Sequence, residues 1–370
     1  MSDSNNHNRF MLRALELAQQ GEGLVEPNPM VGCLLVKDNQ IIAEGYHHQY
    51  GQAHAEADAL ANCTSDPAGA TAYVTLEPCC HTGKTPPCSA ALIQANVAKV
   101  VIAQRDPFSQ VNGGGIEQLE AAGIEVEIGL LEHQAKTLNA PYLKLVQTGM
   151  PWVIAKWAMT LDGKIASRTG SSQWISNESS RKIVHEIRGR VDAILVGSNT
   201  AKLDNPQLTA RPTGMRTAAR VVIDSQATLS PESKLAQTAN EIPVIVAVSP
   251  TAKSERLEAL QNCGCELLFC DANNHATRMQ QLLEELGKRR MTNILVEGGS
   301  SIFGTLMELG QIDEVYSFIA PKLIGGSAAP TPMAGQGLAD MQQAVNLTDV
   351  VVTQLEENVL VHGRVDKRPL

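Results

Sequence analysis

Short apolar segments alternate with stretches of helical periodicity along most of this 370-residue chain. Apolar segments of four to seven residues, each followed by an amphipathic stretch, are typical of α/β architecture with at least partly parallel sheets. At roughly 150 residues per domain, the length predicts two domains, each large enough to bury its own core. The chain therefore has room for two separate sites.

The first half carries five predicted strands and four clear helices. The strands are 31–36, 41–46, 71–76, 99–103 and 125–129. The helices are 9–20, 53–62, 88–95 and 114–122, the last ended by Gly123.

A second series begins after Met150-Pro151, because 152–158 is apolar and extended and follows a helical pattern at 134–147. We place the boundary near residue 149, which gives domains 1–149 and 150–370. The further predicted strands are 192–196, 220–223, 243–248, 266–269, 294–297 and 314–319.

Charge argues for a small-molecule substrate and no nucleic acid. Asp and Glu total 39 against 30 Lys and Arg, a net charge of -9, whereas nucleic-acid binders usually have a basic face. The longest basic cluster, Lys288-Arg289-Arg290, ends a predicted helix, where cations favour the helix dipole. We interpret it as a solvated helix end rather than an RNA contact.

The N-terminal twenty residues lack the basic and apolar regions of a signal peptide, and no run approaches 18 apolar residues. We therefore expect a cytoplasmic protein that has no membrane partner. In that compartment the eight cysteines stay reduced and serve metal binding or packing rather than disulfides.

The most specific pattern is His54-Ala55-Glu56, then Pro78-Cys79, then Cys88 nine positions further on. Imidazole and thiolate are ligands that Zn²⁺ prefers, and three of them leave a fourth position for water. Zinc lowers the pKa of that water from about 15.7 toward about 7. We expect each ligand at or near a helix start, where the positive pole favours thiolate.

Glu56 is the predicted general acid and base. Positions i and i+2 of a helix do not face the same way, so Glu56 need not join His54 as a ligand. It can take the proton of the water and pass it to leaving ammonia. The pattern H-x-E plus P-C-x-x-C is the signature of nucleobase deaminases, and this chain departs from it by eight residues between the cysteines instead of two.

A closed structural zinc site is the alternative, with Cys80 or His81 as a fourth ligand. Such a site would leave Glu56 without a role. We expect Cys80 to point away from the metal because a helix begins there, and the choice of Cys79 over Cys80 rests on the Pro-Cys pattern alone.

The second domain lacks the G-x-G-x-x-G fingerprint of dinucleotide-binding folds. Its best candidate for a phosphate site is 294–301, an apolar strand that ends in Gly298-Gly299-Ser300-Ser301 before a helix from about Ile302. Backbone N–H groups at a helix N-terminus can bind a pyrophosphate.

The segments 27–32, 54–56 and 77–88 resemble the bifunctional riboflavin-pathway deaminase/reductase family, and the spacer ending in Lys-Thr-Pro-Pro-Cys discriminates it from tRNA adenosine and cytosine deaminases. In the second half, 155–164, 173–176 and 204–209 resemble the reductase part of that family. The resemblance covers essentially the whole chain. It implies an N-terminal cytidine-deaminase-like α/β/α domain and a C-terminal dihydrofolate-reductase-like α/β domain.

The resemblance also implies the substrate, 2,5-diamino-6-ribosylamino-4(3H)-pyrimidinone 5′-phosphate, which loses its 2-amino group as ammonia at the zinc site. Asn28 then is a pocket residue, although turn chemistry between two prolines explains it equally well. Lys84 and His81 can meet the phosphate or belong to a solvated loop.

NADPH and homo-oligomeric assembly are further implications of the resemblance. The implied cofactor residues are Ala158, Trp174, Thr200, Asp204, Ser225, Gly299, Ser300, Ser301, Ile302, Phe303, Gly304 and Thr305. The implied substrate residues are Ser172, Arg188, Leu208, Arg211 and Glu297.

Some of these reductase residues have ordinary structural explanations as well. Arg188 and Arg211 can each fork onto a phosphate and Glu297 can bind sugar hydroxyls, but Arg188 also fits a helix surface. Trp174 could also be a buried core residue, and Asp204 could be a turn residue before Asn205-Pro206. Lys156 and Asp204 are both candidates for the proton donor when NADPH delivers hydride to C1′ and the ribosyl group becomes ribityl.

Cys263, Cys265 and Cys270 form a second cluster, which we interpret as packing at a helix end and a strand rather than as a metal site.

Two other functions are alternatives to the bifunctional enzyme. A nucleic-acid base deaminase with an accessory domain needs base stacking and a basic channel, which 4% aromatic residues and the net charge disfavour. A non-catalytic zinc-stabilised binding protein leaves Glu56 unexplained.

Overall fold

The computed structural model describes residues 2–81 and 86–366, with side chains from residue 6 onward. Contact clustering divides the chain into two compact units, Met1–Gly149 and Met150–Leu370. Each unit is α/β, as the alternation of apolar and amphipathic segments predicts. No helix in the described ranges is long and apolar enough to cross a membrane.

The first unit is built on a five-stranded sheet in the order β2-β1-β3-β4-β5. β1 pairs antiparallel with β2 and β3, whereas β3, β4 and β5 are parallel. The strands are β1 Gly32–Lys37, β2 Gln40–Tyr46, β3 Thr71–Val74, β4 Lys99–Ile102 and β5 Glu125–Ile128. The helices are α1 Ser2–Gln19, α2 Ala55–Ala61, α3 Cys88–Gln94, α4 Gly114–Ala121, α5 Glu132–Leu138 and α6 Ala140–Thr148.

Helices cover both faces of this sheet, which gives three α/β/α layers. Successive strand residues alternate between the faces, so Cys33 and Leu35 pack with α2, α3 and α4, whereas Leu34 and Val36 pack with α1 and α5. The single helix predicted at 134–147 is wrong, because the chain breaks at Asn139 and restarts as α6 with a proline in its first turn.

The second unit contains a nine-stranded sheet in the order β10-β9-β8-β7-β11-β6-β12-β14-β13. Its first seven strands in that order are parallel, and β14 pairs antiparallel with both β12 and β13. The strands are β6 Trp152–Thr160, β7 Ala193–Gly197, β8 Ala219–Ile223, β9 Val244–Val248, β10 Glu266–Phe269, β11 Asn293–Gly298, β12 Glu314–Ala320, β13 Leu347–Leu355 and β14 Asn358–Val365.

Helices pack on both faces of the central parallel strands, with α7 and α10 on one face and α11 and α12 on the other. The helices are α7 Glu178–Arg188, α8 Ser198–Asp204, α9 Lys234–Gln237, α10 Ser254–Asn262, α11 His275–Lys288 and α12 Ser300–Glu308, with a 3-10 turn at Met341–Gln343. The hairpin of β13 and β14 is absent from our strand predictions. α12 begins two residues before the predicted Ile302, so Ser300 and Ser301 lie inside its first turn.

The close approach of α2 to β2 depends on Gly45. A Cβ at this position would lie 2.2 Å from the backbone nitrogen of Ala59, so helix and strand meet backbone to backbone. Asp58 joins the same two elements, since its Oδ2 accepts hydrogen bonds from the backbone N–H of Tyr46 at 3.1 Å and from Nε2 of His48 at 2.9 Å. These contacts fix the start of α2, where His54 and Glu56 lie.

Gly45→Ala should lower the free energy of unfolding by about 1–3 kcal/mol, because the added methyl group forces the backbone of α2 away from the sheet. Urea unfolding followed by circular dichroism measures the change. Gln40→Ala, at the exposed start of the same strand, is the control and should stay within about 0.5 kcal/mol of the original chain. An unchanged midpoint for Gly45→Ala would contradict the close packing.

Candidate functional sites

The first unit brings three potential metal ligands together. The ligand atoms of His54, Cys79 and Cys88 all lie within 4.8 Å of one another. Nδ1 of His54 is 3.5 Å from Sγ of Cys79 and 3.4 Å from Sγ of Cys88. Zn–S bonds of about 2.3 Å and Zn–N bonds of about 2.0 Å in a tetrahedron place sulfur and nitrogen about 3.5 Å apart, so this geometry fits zinc.

Two of the three ligands lie at helix starts, as predicted, and the third does not. His54 is the N-cap of α2 and Cys88 is the first residue of α3. Cys79 lies in the loop after β3, so the prediction of a helix start there is wrong. The N-terminus of α3 nevertheless supports it, because the backbone N–H of Cys88 donates to Sγ of Cys79 at 3.3 Å. Its hydrogen bonds from Cys88 and His54 hold the pKa of Cys79 down to about 4 despite burial.

Glu77 holds the loop that carries Cys79. Its buried carboxylate accepts hydrogen bonds from the backbone N–H of Asp106 at 3.3 Å and of Gly115 at 3.2 Å. A Cβ at Gly115 would lie 1.9 Å from the carbonyl oxygen of Pro78, so α4 packs directly on this loop. Sequence reasoning gave Glu77 no role, because nothing in a sequence shows that a carboxylate is buried.

Glu56 is buried beside the ligands, with only 3% of its surface exposed. Burial, together with the negative charge of Cys79, raises its pKa to about 7. The carboxyl group also hydrogen-bonds with the Cys88 thiol. A carboxyl with this pKa can exchange a proton near neutral pH, which suits a general acid and base.

Asn28 is held next to the cluster by His47, a buried residue that sequence reasoning missed. Nδ1 of His47 donates to the carbonyl oxygen of Ala53 at 2.9 Å, which leaves Nε2 to accept from Nδ2 of Asn28 at 3.3 Å. The ring of His47 meets that of His54 edge to face, with centroids 5.4 Å apart. Asn28 is thereby oriented by a side-chain partner rather than by turn chemistry alone.

Cys80 points away from the ligand cluster, although no helix begins there and our reason for that orientation is wrong. Its Sγ donates to the carbonyl oxygen of Gln110 at 3.4 Å and lies against Gly114. His81 stacks edge to face on Phe108, and its Nδ1 is buried without a hydrogen-bond partner. The predicted phosphate contact Lys84 lies outside the described residues.

The second unit has a cavity of about 770 Å³ at the carboxyl ends of β6, β7 and β11. Ligands bind at this edge of parallel sheets, because the loops after neighbouring strands meet there. Every implied substrate residue lines it: Ser172, Arg188, Leu208, Arg211 and Glu297. Ala158, Trp174 and Phe303 line it as well.

A second cavity of about 540 Å³ shares Ser172, Thr200, Asp204 and Gly299 with the first. Ser225, Ser300, Ser301 and Ile302 line it, so most of the implied cofactor residues meet there. Gly304 and Thr305 line neither cavity. They are buried in α12, where a Cβ at Gly304 would lie 2.0 Å from the carbonyl oxygen of Ala334.

The cavity floor between β11 and α12 suits a bound phosphate. Gly299 has φ of 100°, a conformation that favours glycine, and a Cβ there would lie 3.0 Å from the Ile302 side chain. A Cβ at Gly298 would lie 2.8 Å from Oγ1 of Thr200. The two glycines thus let the side chains of Thr200 and Ile302 pack closely against the backbone at the N-terminus of α12, where N–H groups favour anions.

Glu297 forms a buried ionic cluster with Arg188 and Lys156. Arg188 donates from Nε to Oε1 and from Nη2 to Oε2 of Glu297, and Nζ of Lys156 lies 3.5 Å from Oε2. Burial alone would raise the pKa of Glu297, but the two cations outweigh it and hold the pKa at about 2. The pKa of Lys156 is lowered, chiefly by burial. Nε and Nη2 of Arg188 thus form a bidentate pair with Glu297 rather than with a phosphate.

A register shift in β11 positions Glu297. The pairing of β11 with β7 is irregular between Val296 and Gly298, so Glu297 lies at a β-bulge. Bulges commonly redirect a side chain next to an active site. Elsewhere in the lining of this cavity, Oγ of Ser172 donates to Oδ1 of Asp204 at 3.4 Å, and burial raises the pKa of Asp204.

Trp174 is not a core residue. It is 65% exposed at the cavity rim, where the Arg181 guanidinium lies 4.7 Å from its ring centroid and Nζ of Lys322 donates to its carbonyl oxygen at 2.6 Å.

The second cysteine cluster lies where it was predicted. Cys263 caps the end of α10, and Cys265 and Cys270 flank β10. All eight cysteines are free.

Comparisons with known proteins identify both units. Residues 4–104 match the cytidine and deoxycytidylate deaminase zinc-binding region, and residues 151–361 match the RibD C-terminal domain. The riboflavin biosynthesis protein RibD of Actinobacillus pleuropneumoniae is 43% identical over 95% of this chain and 93% of its own length. That of Escherichia coli is 40% identical over 86% of this chain and 89% of its own.

Solved structures agree with these matches along the whole chain. Acinetobacter baumannii RibD superposes with a TM-score of 0.85 at 35% identity and covers 99% of this chain and 100% of its own. The diaminohydroxyphosphoribosylaminopyrimidine deaminase/5-amino-6-(5-phosphoribosylamino)uracil reductase of Thermotoga maritima has a TM-score of 0.83 at 36% identity, covering 98% and 99%.

Fold and sites thus define a two-domain enzyme that joins a zinc-dependent deaminase to an NADPH-dependent reductase. The chain belongs to the RibD family of bifunctional riboflavin biosynthesis enzymes. The resemblance drawn from the sequence motifs is confirmed, as is the α/β fold class with a cytidine-deaminase-like unit followed by a RibD reductase unit.

Cys88→Ser should weaken zinc binding by more than about 100-fold, the upper end of what loss of an outer-shell partner costs. Cys80→Ser, the matched control, should keep one zinc per chain because its sulfur faces Gly114. Atomic absorption after dialysis against a weak chelator measures both. Zinc loss from the Cys80 variant equal to that from the Cys88 variant would contradict the three-ligand assignment.

Proposed function

We propose that residues 1–149 deaminate 2,5-diamino-6-ribosylamino-4(3H)-pyrimidinone 5′-phosphate and that residues 150–370 then reduce its ribosyl group to ribityl. The product is 5-amino-6-ribitylamino-uracil 5′-phosphate. The observation that carries the proposal is the buried carboxyl of Glu56 beside the converged ligand atoms of His54, Cys79 and Cys88. The deaminase and reductase activities by which the Thermotoga maritima relative is named support the choice of substrate. We further propose a cytoplasmic homo-oligomer.

In the deaminase site, His54, Cys79 and Cys88 would hold zinc, which would supply the Lewis acid that lets water ionise near neutral pH. Glu56 receives the proton of that water and returns it to the departing amino group, which its pKa of about 7 allows in both directions. Asn28, oriented by His47, presents its amide to the pyrimidine.

In the reductase site, the residues that line the second cavity would hold NADPH, which would supply the hydride. Glu297 accepts hydrogen bonds from the ribosyl hydroxyls while Arg188 holds it in place, and Arg211 is the guanidinium left to meet the substrate phosphate. Lys156 is the proposed proton donor to the ring oxygen. It lines the substrate cavity beside Glu297. Asp204 lines the same cavity, where it is hydrogen-bonded to Ser172 and its charge raises the pKa of Lys156.

Glu56→Gln should lower ammonia release by about 10²- to 10⁴-fold, because the amide cannot carry a proton between water and the leaving group. Zinc content should be unchanged, and reduction should be normal when the deaminated intermediate is supplied. Glu117→Gln, an exposed residue of the same unit, is the control. Full ammonia release by Glu56→Gln would remove the proposed role.

The pH dependence of the reduction rate tests whether Lys156 is the proton donor. A lysine that donates its proton loses function as pH rises through its pKa, and burial places that pKa below the usual 10.5. Glu297→Gln removes a charge that stabilises the ammonium and leaves Arg188 to repel it, so the alkaline limb of kcat should move to lower pH.

Lys156→Gln should abolish that limb and lower kcat by about 10²-fold or more. Lys234→Gln, at an exposed lysine that lines the same cavity, should keep both the alkaline limb and the original kcat. Stopped-flow measurement of NADPH absorbance gives the rates. An alkaline limb unmoved in Glu297→Gln and retained in Lys156→Gln would assign the proton donor elsewhere.

A further inference from the structure

Asn139, at the break between α5 and α6, makes a contact that the sequence gives no reason to expect. It is 1% exposed. Its Oδ1 accepts a hydrogen bond from the backbone N–H of Met30 at 2.8 Å, and its Nδ2 donates to the carbonyl oxygen of Met30 at 2.9 Å. The side-chain amide thus pairs with both backbone groups of one residue, as a residue of a neighbouring antiparallel strand does.

This asparagine is the N-cap of α6, a position where asparagine usually caps the helix with its own side chain. Within the described part of the chain, the Asn139 side chain makes no such cap hydrogen bond. Its backbone has φ of −96° and ψ of 16°, away from the extended conformation from which a capping side chain reaches its helix. The backbone joins the two helices instead, because its N–H donates to Ala135 and its carbonyl oxygen accepts from Leu143. The side-chain amide is therefore left to hold Met30.

Met30 belongs to the segment 27–32, which carries Asn28 and has few backbone donors with which to hold its own shape. A proline flanks Asn28 on each side, and proline has no N–H group. The N–H of Asn28 donates to the carbonyl oxygen of Val25 at 2.9 Å, which is a local contact. The pairing of Met30 with Asn139 therefore ties this segment to a helix junction far away in the sequence.

We propose that Asn139 is a positioning residue of the deaminase site, which holds the backbone of 27–32 so that Asn28 presents its amide to the pyrimidine. His47 orients the side chain of Asn28 through a bond of 3.3 Å, and Asn139 fixes the backbone that carries it. The inference rests on the proposed function, because the placement of Asn28 against the pyrimidine gives Asn139 its role. A small displacement of a binding group weakens its contact even when the displaced support lies far from the reacting atoms.

General support of the unit by α6 is the competing explanation. The hydroxyl of Tyr142 donates to the carboxylate of Asp106 at 2.9 Å, and the backbone N–H of Asp106 donates to Glu77, which holds the loop of Cys79. Displacement of α6 as a whole would therefore disturb the zinc ligands. Loss of the Met30 contact alone leaves those ligands in place, so zinc content separates the two explanations.

Steady-state ammonia release by the zinc-loaded full chain, measured over a range of diaminopyrimidine substrate concentrations, tests the assignment. Asn139→Ala should raise KM by about 3- to 10-fold, the value of one neutral hydrogen bond to the substrate. The kcat should stay within about twofold, because Asn28 meets the pyrimidine and not the reacting water. Zinc should remain at one per chain. Gln134→Ala, which removes an exposed amide from α5, is the matched control and should change neither constant.

A double-variant cycle shows whether Asn139 acts through Asn28. Asn28→Ala should raise KM by a similar factor, and the variant with both changes should be no worse than Asn28→Ala alone. Independent contributions would multiply instead, to about 10- to 100-fold, because separate sites add in free energy. Asn139→Asp tests the same contact without leaving a cavity. It keeps the acceptor for the N–H of Met30 but loses the donor to its carbonyl oxygen, so KM should rise again with zinc retained.

Three results would overturn the positioning role of Asn139. They are an unchanged KM in both Asn139 variants, loss of zinc from both, and multiplication of the two effects in the double variant. Each of these, with ammonia released normally by the unaltered chain, would refute the inference and leave the proposed function standing. No ammonia release from the diaminopyrimidine by the unaltered zinc-loaded chain would refute the proposed function, and the inference with it.

Discussion

A carboxylate removed from water must be compensated by cations or N–H donors, and both sites of this chain depend on that constraint. In the reductase unit Glu297 is ionised because Arg188 and Lys156 surround it. In the deaminase unit Glu77 is satisfied by backbone N–H groups, and in doing so it fixes the loop of Cys79. Glu56 is compensated only in part, by a backbone hydrogen bond, His54 and the Cys88 thiol, so burial raises its pKa to about 7. The degree of compensation separates a structural carboxylate from one that can exchange protons.

Sequence patterns predicted what depends on local residues. The zinc ligands were found because their types and spacing are chemically specific, and the predicted strands of both sheets were found because buried parallel strands are continuously apolar. The helix break at Asn139 was missed although Pro141 marks it, since proline is also tolerated in the first turn of a helix. The hairpin of β13 and β14 was missed because β13 is mostly exposed and has no clear two-residue alternation.

Residues whose roles depend on tertiary packing were beyond sequence reasoning. His47 orients Asn28 across nineteen residues, and Arg188 meets Glu297 across 109, so neither pairing has a local signal. The bulge that redirects Glu297 is a property of strand register and not of composition. Motif resemblance supplied the implied substrate residues. Guanidinium chemistry then suggested that Arg188 could fork onto a phosphate, whereas packing makes it a partner of Glu297.

The position of Trp174 gives this molecule a built-in optical reporter. The chain has three tryptophans. Trp152 donates to Glu314 and Trp157 packs on Phe303, whereas Trp174 alone of the three is largely exposed, at the rim of the 770 Å³ cavity. Reduced nicotinamide absorbs light at the wavelengths that indole emits. With NADPH placed as proposed, energy transfer and changes in the polarity around Trp174 make the fluorescence of the chain a record of when the reductase cavity fills.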